Sequence, residues 1–515
     1  MLEADTLWAL VVKRAAESPD RLMAVDERGR RLTFAEYAGE AEAAAAGFAA
    51  RGIRDGDVVT WQLPTWLESL VLAGALARLG VVQNPILPIY REREVGFCVR
   101  QARSRLLIVP SHFRGVAFAE MAHTIAAESP GLEILIADRE LPRGDPASLP
   151  DPPEDADAVR WLFYTSGTTA DPKGARHSDR TLHAFARGMS KRLQITSADR
   201  VALVFPFTHV GGIGWMLASL MTGCANICAE AFVPDEVIPV LAREGVTLAG
   251  AGTAFHQAYL AAQHKSEEPL LPALRGFPGG GAPRPPRLHY ELIEAFGCGV
   301  LSGYGLTETP VLTMASPEDS DADLAHSEGR PVPGVELKLV AMDGSPCGPG
   351  EEGEVRARAP QLMQGYVDAS LDEAAFDAEG YFRTGDLGRL NERGMLTITG
   401  RLKDVIIRKG ENVSAKEVED HLYAHPKVAD VAVIGLPDPA RGERVCAVVQ
   451  TREGSSPIAF DEMTAFLEER GLMRQKLPEQ LELVDLLPRN PAGKVLKHEL
   501  RARFDTPQRG AGHSS

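Results

Sequence analysis

The chain has 515 residues, of which 44% are hydrophobic and 24% charged, and its formal net charge is −16. This length exceeds what one hydrophobic core usually serves, so we expect two or three domains with the composition of a soluble globular protein. The negative charge excludes a general nucleic-acid binder, because such proteins need Lys and Arg to neutralise phosphates.

The sequence also argues against a membrane or secretory role. The longest apolar stretch, near residue 70, is interrupted by Arg78 and is too short to span a bilayer. The N-terminus has acidic residues before its apolar stretch and lacks the basic region of a signal peptide. Six cysteines are scattered without zinc-ligand spacing, and we interpret them as small core residues. A cytoplasmic location is therefore expected.

Strands and helices alternate through the first half of the chain. An alanine-rich helix is predicted at 34–52, followed by a strand at 57–63 and a helix at 66–80. Further extended segments are predicted at 81–85, 104–110, 132–137 and 200–206. This alternation is typical of α/β units with largely parallel sheets.

The pattern changes twice in the second half. Residues 330–400 contain short β-rich segments divided by Gly and Pro, which predicts a small β-barrel-like or antiparallel subdomain. Residues 404–504 then alternate strands and helices as an independent α+β domain of about 100 residues. The polar tail at 506–515 is expected to be disordered.

A loop rich in Gly, Ser and Thr follows the apolar run at 159–163. It reads YTSGTTADPKGARHS from Tyr164 to Ser178. Glycines let backbone N–H groups approach oxygens closely, and a lysine adds a positive charge, so the loop suits polyphosphate. It is not a Walker A loop, because Pro172 precedes Lys173 and Gly174 follows it. The alternative interpretation is a polar surface loop.

Three more motifs follow in order. Ser302 to Glu308 reads SGYGLTE after a strand-like segment, which places it where open α/β sheets bind ligands. Residues 381–386 read YFRTGD, with Arg401 fifteen residues after the aspartate, and residues 490–494 read NPAGK. Each motif alone could be an ordinary turn, whereas their joint order and separation are specific.

With these motifs the chain resembles the adenylate-forming superfamily of acyl-CoA synthetases, peptide-synthetase adenylation domains and beetle luciferases. The resemblance runs from about residue 5 to about 504. It rests on the four motifs and on PFTHVGG at 206–212, GGGAP at 279–283 and GRLKDVIIRKGENVSAKEVE at 400–419. It implies a large N-terminal domain at 1–402, built of two α/β subdomains and the small β-rich one. A mobile C-terminal domain at 403–505 is expected to swing about a hinge at Lys403.

The resemblance also implies two half-reactions that use ATP, Mg²⁺ and coenzyme A. A carboxylate forms acyl-AMP with release of pyrophosphate, and a thiol then displaces AMP. The phosphate-binding residues implied are Thr165, Ser166, Gly167, Thr168, Thr169 and Lys173. Mg²⁺ is expected at Glu308 and Thr165, with Thr307 near the phosphates. Adenine is expected between Tyr304, flanked by Gly303 and Gly305, and the turn containing Gly281 and Ala282.

The remaining roles implied by the resemblance are spread along the chain. Asp386 and Arg401 are expected to hold the ribose, and Lys494 to bridge the carboxylate and phosphate in the transition state. His209 matches the aromatic gating position of acyl-CoA synthetases, and Gly410 lies in the loop expected to line the pantetheine tunnel.

The sequence narrows the chemical class of the substrate only in part. No Asp or Glu lies between Pro206 and Gly223, which disfavours an α-amino acid, and Trp215 is expected to shape an apolar pocket. Fatty, alicyclic and aromatic acids stay open. The lack of an appended carrier domain favours free CoA over a separate carrier protein, and an idle nucleotide-binding protein is the third hypothesis. The sequence does not determine the oligomeric state, and a homodimer stays open.

Overall fold

The computed structural model describes residues 1–165, 171–280, 284–408, 411–438, 441–489 and 495–505. The described residues form two compact units. The first lies within Met1–Gly281, Leu288–Leu337 and Ala357–Phe382, and the second within Ala282–Arg287, Lys338–Arg356 and the chain from Arg383 onward.

The first unit contains the alternating elements that the sequence predicts. Its strands are β1 (Leu22–Asp26), β2 (Arg31–Thr33), β3 (Val58–Trp61), β4 (Val82–Pro85), β5 (Leu106–Val109), β6 (His112–Phe113), β7 (Val116–Ala117), β8 (Glu133–Ile136), β9 (Val159–Thr165), β10 (Lys173–Ser178), β11 (Arg200–Leu203), β12 (Ala225–Cys228), β13 (Leu248–Ala249), β14 (Phe277–Gly280), β15 (Val300–Tyr304), β16 (Thr313–Met314) and β17 (Arg330–Pro331). Its helices are α1 (Leu7–Glu17), α2 (Phe34–Ala50), α3 (Leu67–Arg78), α4 (Glu92–Ala102), α5 (Phe118–Ala127), α6 (Asp179–Arg192), α7 (Val210–Thr222), α8 (Pro234–Arg243), α9 (Thr253–Gln263), α10 (Pro286–Phe296), α11 (Asp321–His326) and α12 (Asp372–Ala375), with 3₁₀ turns at Pro146–Ser148 and Ala369–Leu371.

Two largely parallel sheets organise this unit. One has the order β10-β9-β4-β3-β5-β8, and its strands are parallel except for the antiparallel β9–β10 pair. The other has the order β13-β11-β12-β1-β2, with β1–β2 as its antiparallel pair. The predicted α/β class with parallel sheets is confirmed.

Small residues let two of the helices approach closely. Helix α2 begins with a capping box, in which Thr33 and Glu36 bond each other's backbone N–H groups. A Cβ at Gly74 in α3 would lie 2.6 Å from the Tyr37 hydroxyl and 3.1 Å from the Ala41 Cβ. The alanine-rich composition of α2 therefore serves close packing against α3 as well as helix propensity.

A third sheet, with the order β14-β15-β16-β17, carries two of the sequence motifs. Strands β14 and β15 are parallel, with Gly280 opposite Gly303. The GGGAP turn and the loop after Tyr304 therefore follow the carboxyl ends of neighbouring parallel strands. This is the edge at which α/β sheets bind ligands.

The second unit contains the β-rich segment and the C-terminal elements. Its strands are β18 (Glu336–Val340), β19 (Gly353–Arg358), β20 (Phe382–Leu390), β21 (Leu396–Arg401), β22 (Val405–Arg408), β23 (Glu411–Ser414), β24 (Val428–Asp438), β25 (Gly442–Thr451) and β26 (Gln480–Val484). Its helices are α13 (Ala415–Tyr423), α14 (Phe460–Glu469) and α15 (Lys497–Phe504), with 3₁₀ turns at Leu402–Asp404 and Arg474–Lys476.

Strands β18-β19-β20-β21 form one sheet, and β23-β22-β25-β24 form another in which β26 pairs with β25. The alternating strands and helices predicted for 404–504 are present among the described residues of that range. The predicted domain boundary at residue 403 falls in the turn Leu402–Asp404, inside this unit, and it stays a prediction. The predicted disordered tail at 506–515 lies outside the described residues.

No helix within the described ranges is long and apolar enough to cross a membrane. The cysteines behave mostly as core residues. Cys98, Cys224, Cys228 and Cys446 are buried, whereas Cys298 and Cys347 are half-buried. Burial raises the pKa of the Cys224 thiol to about 12, so this buried thiol stays protonated.

Candidate active site

The predicted phosphate loop joins the two strands of a hairpin. Strands β9 and β10 pair antiparallel, and Thr165 lies directly opposite Lys173. The Thr165 Oγ1 is 3.5 Å from the Lys173 carbonyl oxygen. The ends of the loop are therefore fixed by the sheet, while Ser166, Gly167, Thr168 and Thr169 lie outside the described residues.

A segment remote in sequence, residues 361–367, lies along β10, and we call it the clasp segment. The Gln364 N–H donates to the Arg176 carbonyl at 2.8 Å, and the Arg176 N–H donates to the Gly365 carbonyl at 3.0 Å. The Val367 N–H donates to the Gly174 carbonyl at 2.8 Å. Strand β10 is the edge of its sheet, so the clasp segment covers hydrogen-bonding groups that would otherwise be open.

The clasp segment also holds the loop that follows β15. The Met363 N–H donates to the Glu308 carbonyl oxygen at 2.8 Å. The Gln361 side-chain amide donates to the Val311 carbonyl at 2.8 Å. One short segment therefore connects the phosphate-loop hairpin to the GYGLTE loop, although the three stretches are far apart in the sequence.

Glu308 is a buried carboxylate, with 8% of its surface exposed. The Tyr366 hydroxyl donates to its Oε1 at 2.8 Å. Within the described ranges, no Lys, Arg or His forms an ion pair with Glu308. Burying a carboxylate without an opposite charge is costly, so this arrangement suits a site that a cation completes. Carboxylate oxygen is also the ligand that Mg²⁺ prefers in proteins.

Lys173 approaches the ring of the same tyrosine. Its Nζ is 5.6 Å from the centre of the Tyr366 ring, within cation–π range. Burial, reinforced by the Glu308 charge, raises the pKa of the Tyr366 hydroxyl, so it stays a hydrogen-bond donor. The predicted phosphate-binding lysine and the predicted metal-binding carboxylate are thus brought together around one ring.

His177 fixes the residue next to Glu308. Its Nε2 is 2.9 Å from the Thr307 carbonyl oxygen, and it must donate because a carbonyl can only accept. Burial lowers the pKa of His177 to about 4, so the ring is neutral at physiological pH. This contact orients the main chain at Thr307 from β10.

The glycines around Tyr304 allow close approaches of the backbone. A Cβ at Gly280 would lie 2.4 Å from the Gly303 carbonyl oxygen, and one at Gly305 would lie 2.2 Å from the Val311 nitrogen. Tyr304 ends β15 and is buried, with 8% exposed. Gly281 and Ala282, the predicted adenine-binding turn, lie outside the described residues.

His209 is placed at the start of helix α7. Its Nδ1 accepts a hydrogen bond from the Gly211 N–H at 3.1 Å, which caps the helix. Burial lowers the pKa of His209 to about 4. Trp215, which we expected to shape an apolar pocket, is 6% exposed and packs in the main hydrophobic core. Trp215 therefore packs helix α7 against the core, and its role in shaping a substrate pocket stays a prediction.

The predicted ribose-binding pair lies in the second unit. Asp386 and Arg401 are register partners on β20 and β21. The Arg401 Nε is 2.8 Å from the Asp386 Oδ1, and the Asp386 side chain is 3% exposed. Lys403 lies in the turn Leu402–Asp404, directly after this pair. Gly410 and Lys494 lie outside the described residues.

Sequence reasoning did not identify two contributors to this site. His177 stands within the quoted phosphate-loop motif but received no role. Tyr366 belongs to none of the motifs, and it contacts Glu308 across 58 positions. The structure gives Gly365, the preceding residue, a φ of +94°, which glycine adopts easily, but a glycine before a tyrosine in the sequence assigns no role to the tyrosine.

Comparisons with known proteins identify the family to which the chain belongs. The family model for AMP-binding enzymes matches residues 11–367, and the model for the AMP-binding enzyme C-terminal domain matches residues 417–494. The chain is similar to the structure of O-succinylbenzoate coenzyme A synthetase from Bacillus subtilis in complex with ATP and magnesium ion. The TM-score is 0.84 at 29% identity, covering 95% of this chain and 98% of the other.

Two curated relatives use different acyl acceptors by their names. A medium-chain fatty-acid–CoA ligase of Escherichia coli is 31% identical over 501 residues, covering 95% of this chain and 88% of the relative. A salicyl-AMP ligase / salicyl-S-ArCP synthetase of Mycobacterium tuberculosis is 33% identical over 525 residues, covering 96% and 90%. The chain belongs to the AMP-binding enzyme family and is an AMP-forming acid–thiol ligase.

Proposed function

We propose that the enzyme converts a carboxylic acid without an α-amino group into its CoA thioester, at the cost of ATP. In the first step a carboxylate oxygen attacks the α-phosphorus, the α–β phosphoanhydride bond breaks, and pyrophosphate leaves. In the second step the sulfur of CoA attacks the acyl carbon, and AMP leaves. The observation that carries the proposal is the buried Glu308 carboxylate, held beside the phosphate-loop hairpin without a described ion-pair partner.

The residues around that carboxylate are assigned the phosphate and metal roles. Glu308 and Thr165 would hold Mg²⁺, which when bound offsets the charge on the pyrophosphate as it leaves. Thr307 and Lys173 would contact the phosphates, together with the loop from Ser166 to Thr169. Support comes from the fixed hairpin ends and from the Lys173–Tyr366–Glu308 arrangement.

Recognition of the nucleoside is assigned to the two glycine-rich turns and to the second unit. Tyr304, with Gly303 and Gly305 beside it and Gly281 and Ala282 opposite, would enclose the adenine. Asp386 would accept hydrogen bonds from both ribose hydroxyls, because an ionised carboxylate offers several acceptor positions. Arg401 orients the Asp386 carboxylate through the 2.8 Å contact.

The remaining assignments concern the reacting atoms and the acceptor. Lys494 would bridge the attacking carboxylate and the α-phosphate, where charge increases in the transition state. Lys403 would be the hinge about which the C-terminal domain moves between the first step and the second. Gly410 would allow CoA's pantetheine arm to pass close to the backbone. His209 would gate the path between acyl-AMP and the thiol from the start of α7.

The class of carboxylic acid is inferred from helix α7, which has no acidic side chain that could pair with the ammonium group of an α-amino acid. Its buried residues are apolar or small, which fits a fatty, alicyclic or aromatic acid. The relative named a medium-chain fatty-acid–CoA ligase supports this class. A homodimer stays open, and a cytoplasmic location stays a prediction from the sequence.

A second candidate is transfer of the acyl group to a separate carrier protein. The salicyl-AMP ligase / salicyl-S-ArCP synthetase favours it, because that relative matches over a similar length at similar identity. Both candidates share the adenylation step and differ only in the thiol.

The test is ATP–pyrophosphate exchange over a panel of fatty, alicyclic, aromatic and α-amino acids, followed by thioester formation with CoA or with a phosphopantetheinylated carrier. We expect exchange with one or more acids of the first three groups and consumption of the acyl-AMP by free CoA. Lys494→Ala should lose exchange by about 10²-fold or more and still transfer a supplied acyl-AMP.

Three outcomes would contradict the proposal in different ways. Exchange with α-amino acids alone would overturn the substrate class. Transfer to the carrier but not to CoA would replace the leading candidate with the second one. Absence of exchange with every acid, in a protein that binds ATP, would leave only an idle nucleotide-binding protein.

A further inference from the structure

The structure assigns to Tyr366 the role of a positioning residue for Glu308, through which the phosphate-loop hairpin and the metal carboxylate are coupled. We propose that the Tyr366 hydroxyl sets the strength with which Mg²⁺ adds to ATP binding. The inference rests on the proposed function, since it concerns the same carboxylate. It adds a residue that none of the sequence motifs contains.

The geometry gives Tyr366 a specific position. Its ring is buried, with 4% exposed, in a small cluster with Ala175, Met363 and Phe382. Its backbone pairs with Ala175 of β10 through an isolated antiparallel bridge. Its hydroxyl reaches Glu308 at 2.8 Å. The side chain therefore extends from the phosphate-loop hairpin to the carboxylate, held at one end by backbone pairing.

Further contacts fix the backbone on both sides of the ring. The Tyr366 N–H donates to the Asp372 Oδ1 at 2.8 Å, and the Val367 N–H donates to the Gly174 carbonyl. Gly174 has no room for a side chain, because a Cβ there would lie 2.8 Å from the Tyr164 ring and 2.9 Å from the Val367 side chain. The position of the hydroxyl is thus determined by the packing between β10 and the clasp segment.

The carboxylate needs such a partner. A buried carboxylate with one hydrogen bond can rotate unless that bond fixes one of its oxygens. The hydroxyl bonds Oε1 and so sets the direction in which Oε2 points. Outer partners of metal ligands act in this way, and removing one typically costs about 10- to 100-fold in metal affinity or activity.

A purely structural role is the competing interpretation. The ring fills a hydrophobic cluster, and a buried tyrosine hydroxyl usually forms a hydrogen bond simply because it is buried. In that case removing the hydroxyl would change stability and would affect ATP binding equally with and without metal. A positioning role predicts instead that only the contribution of the metal falls.

The experiment measures ATP binding by calorimetry to the full-length enzyme, once with MgCl₂ and once with EDTA. The ratio of the two dissociation constants is the magnesium advantage. We expect Tyr366→Phe to lower this advantage about tenfold and to leave the dissociation constant in EDTA unchanged. The variant removes one oxygen and keeps the ring in its cluster, and circular dichroism melting verifies the fold.

Three further variants are compared with Tyr366→Phe. Glu308→Gln should remove the magnesium advantage, and adding Tyr366→Phe to it should change nothing further. Tyr423→Phe is the matched control, because the Tyr423 hydroxyl also donates to a carboxylate, Asp430 Oδ1, at 2.6 Å. It should leave the magnesium advantage at the wild-type value.

The outcomes separate this inference from the proposed function. An unchanged advantage in Tyr366→Phe, or an equal loss with and without metal, overturns the positioning role while the function stands. If Glu308→Gln keeps the wild-type advantage, the metal assignment fails and the inference fails with it. A wild-type enzyme that supports no pyrophosphate exchange overturns the proposed function itself.

Discussion

Two buried carboxylates among the candidate residues are stabilised in different ways. Asp386 has a guanidinium at 2.8 Å, whereas Glu308 has only a tyrosine hydroxyl at 2.8 Å among the described residues. A paired carboxylate keeps its charge and its orientation without a ligand, but one that is held by a neutral donor still needs a cation. This difference supports the proposal that Asp386 binds hydroxyl groups and Glu308 binds a metal ion.

The ion pair gives the first prediction. Asp386→Asn keeps the shape but loses the charge and one acceptor position, so the KM for ATP should rise roughly tenfold, the equivalent of about 1.4 kcal/mol. The free energy of unfolding should also fall by about 2 kcal/mol, because Arg401 loses its partner. Steady-state kinetics and denaturant unfolding measure the two effects.

The matched control is Asp199, which is buried and pairs with Arg275 at 2.6 Å, and whose other side-chain hydrogen bonds go to Thr196 and Thr247 rather than to candidate residues. Asp199→Asn should lower stability to a similar extent and leave the KM for ATP unchanged. An equal rise in KM in both variants would show that the ATP effect of Asp386→Asn reflects lost stability rather than lost contact with the ribose.

A pH dependence follows from His177. Its pKa is lowered from 6.5 to about 4 by burial, so the unfolded chain binds a proton more readily than the folded one. The contribution of His177 to the free energy of unfolding is therefore fully present above pH 6.5, and it is lost as the pH falls from 6.5 towards 4. Between about pH 7 and about pH 5 this residue alone should cost about 2 kcal/mol, at about 1.4 kcal/mol per pH unit.

Unfolding at both pH values tests this prediction in His177→Gln, whose amide can still donate to the Thr307 carbonyl. The stability difference between the two pH values should be about 2 kcal/mol smaller than in the wild type. Replacing the exposed His123 in the same way should leave the difference as it is. An unaltered difference in His177→Gln would contradict the origin assigned here.

At the scale of elements, the site depends on close contacts between backbone segments. The clasp segment bonds the hairpin on one side and the Glu308 loop on the other, and β14 lies against β15 with two facing glycines. Glycines leave no room for side chains at the β14–β15 contact, so these two strand ends determine each other's positions within narrow limits. A single methyl group at such a contact should displace a whole strand end.

Gly280→Ala tests this at the β14–β15 contact. The new Cβ would lie 2.4 Å from the Gly303 carbonyl oxygen, which belongs to backbone and cannot rotate away. We expect unfolding to become easier by about 1–3 kcal/mol and the ATP affinity to fall, because the Gly303–Gly305 turn must shift. Thermal unfolding and ATP titration measure both.

Gly39→Ala is the control, since Gly39 is in helix α2 and a Cβ added there would meet no neighbouring atom within 4 Å. That change should raise stability by up to about 1 kcal/mol and leave ATP binding alone. If Gly280→Ala behaved like Gly39→Ala, the close approach of the two strands would not constrain the site.

The sequence predicted the elements that follow a regular pattern, such as the alanine-rich helix α2 and the strand before the phosphate loop. It also located Glu308, Asp386 and Arg401 within their motifs. It could not indicate Tyr366 or the clasp segment, because their contacts to the two motif loops join positions 50 or more residues apart and use mostly backbone groups. Such contacts leave no local periodicity, and Tyr366 resembles any other buried aromatic residue.

At the scale of the whole molecule, the chain divides into two units, and the candidate residues are shared between them. Thr165, Lys173 and Glu308 belong to the first unit, and Asp386 and Arg401 to the second. The proposed two-step reaction needs a rearrangement between its steps, and Lys403 is the predicted hinge. Its turn is short, which suits a hinge because few residues absorb the change in φ and ψ.

Lys403→Pro tests the hinge. Proline fixes φ near about −65°, so acyl-AMP formation should be kept within about threefold and transfer to CoA should fall by about 10²-fold or more. Lys403→Ala removes the charge but keeps the torsional freedom, and it should support both steps. Rapid-quench measurement of each half-reaction gives the result, and an equal loss of both steps in the proline variant would reject the hinge.

The two half-buried cysteines are the native thiols most open to a fluorescent probe, and because burial raises the pKa of the Cys298 thiol to about 12, its labelling needs alkaline pH. Four thiols are buried, and the two half-buried ones, Cys298 and Cys347, lie in the first and second unit respectively. Both precede residue 403, so a swing about that residue would leave the distance between dyes on them constant. A movement of the entire second unit would change it. Energy transfer between these two positions during turnover would therefore distinguish a movement of the chain after residue 403 from a movement of the entire second unit.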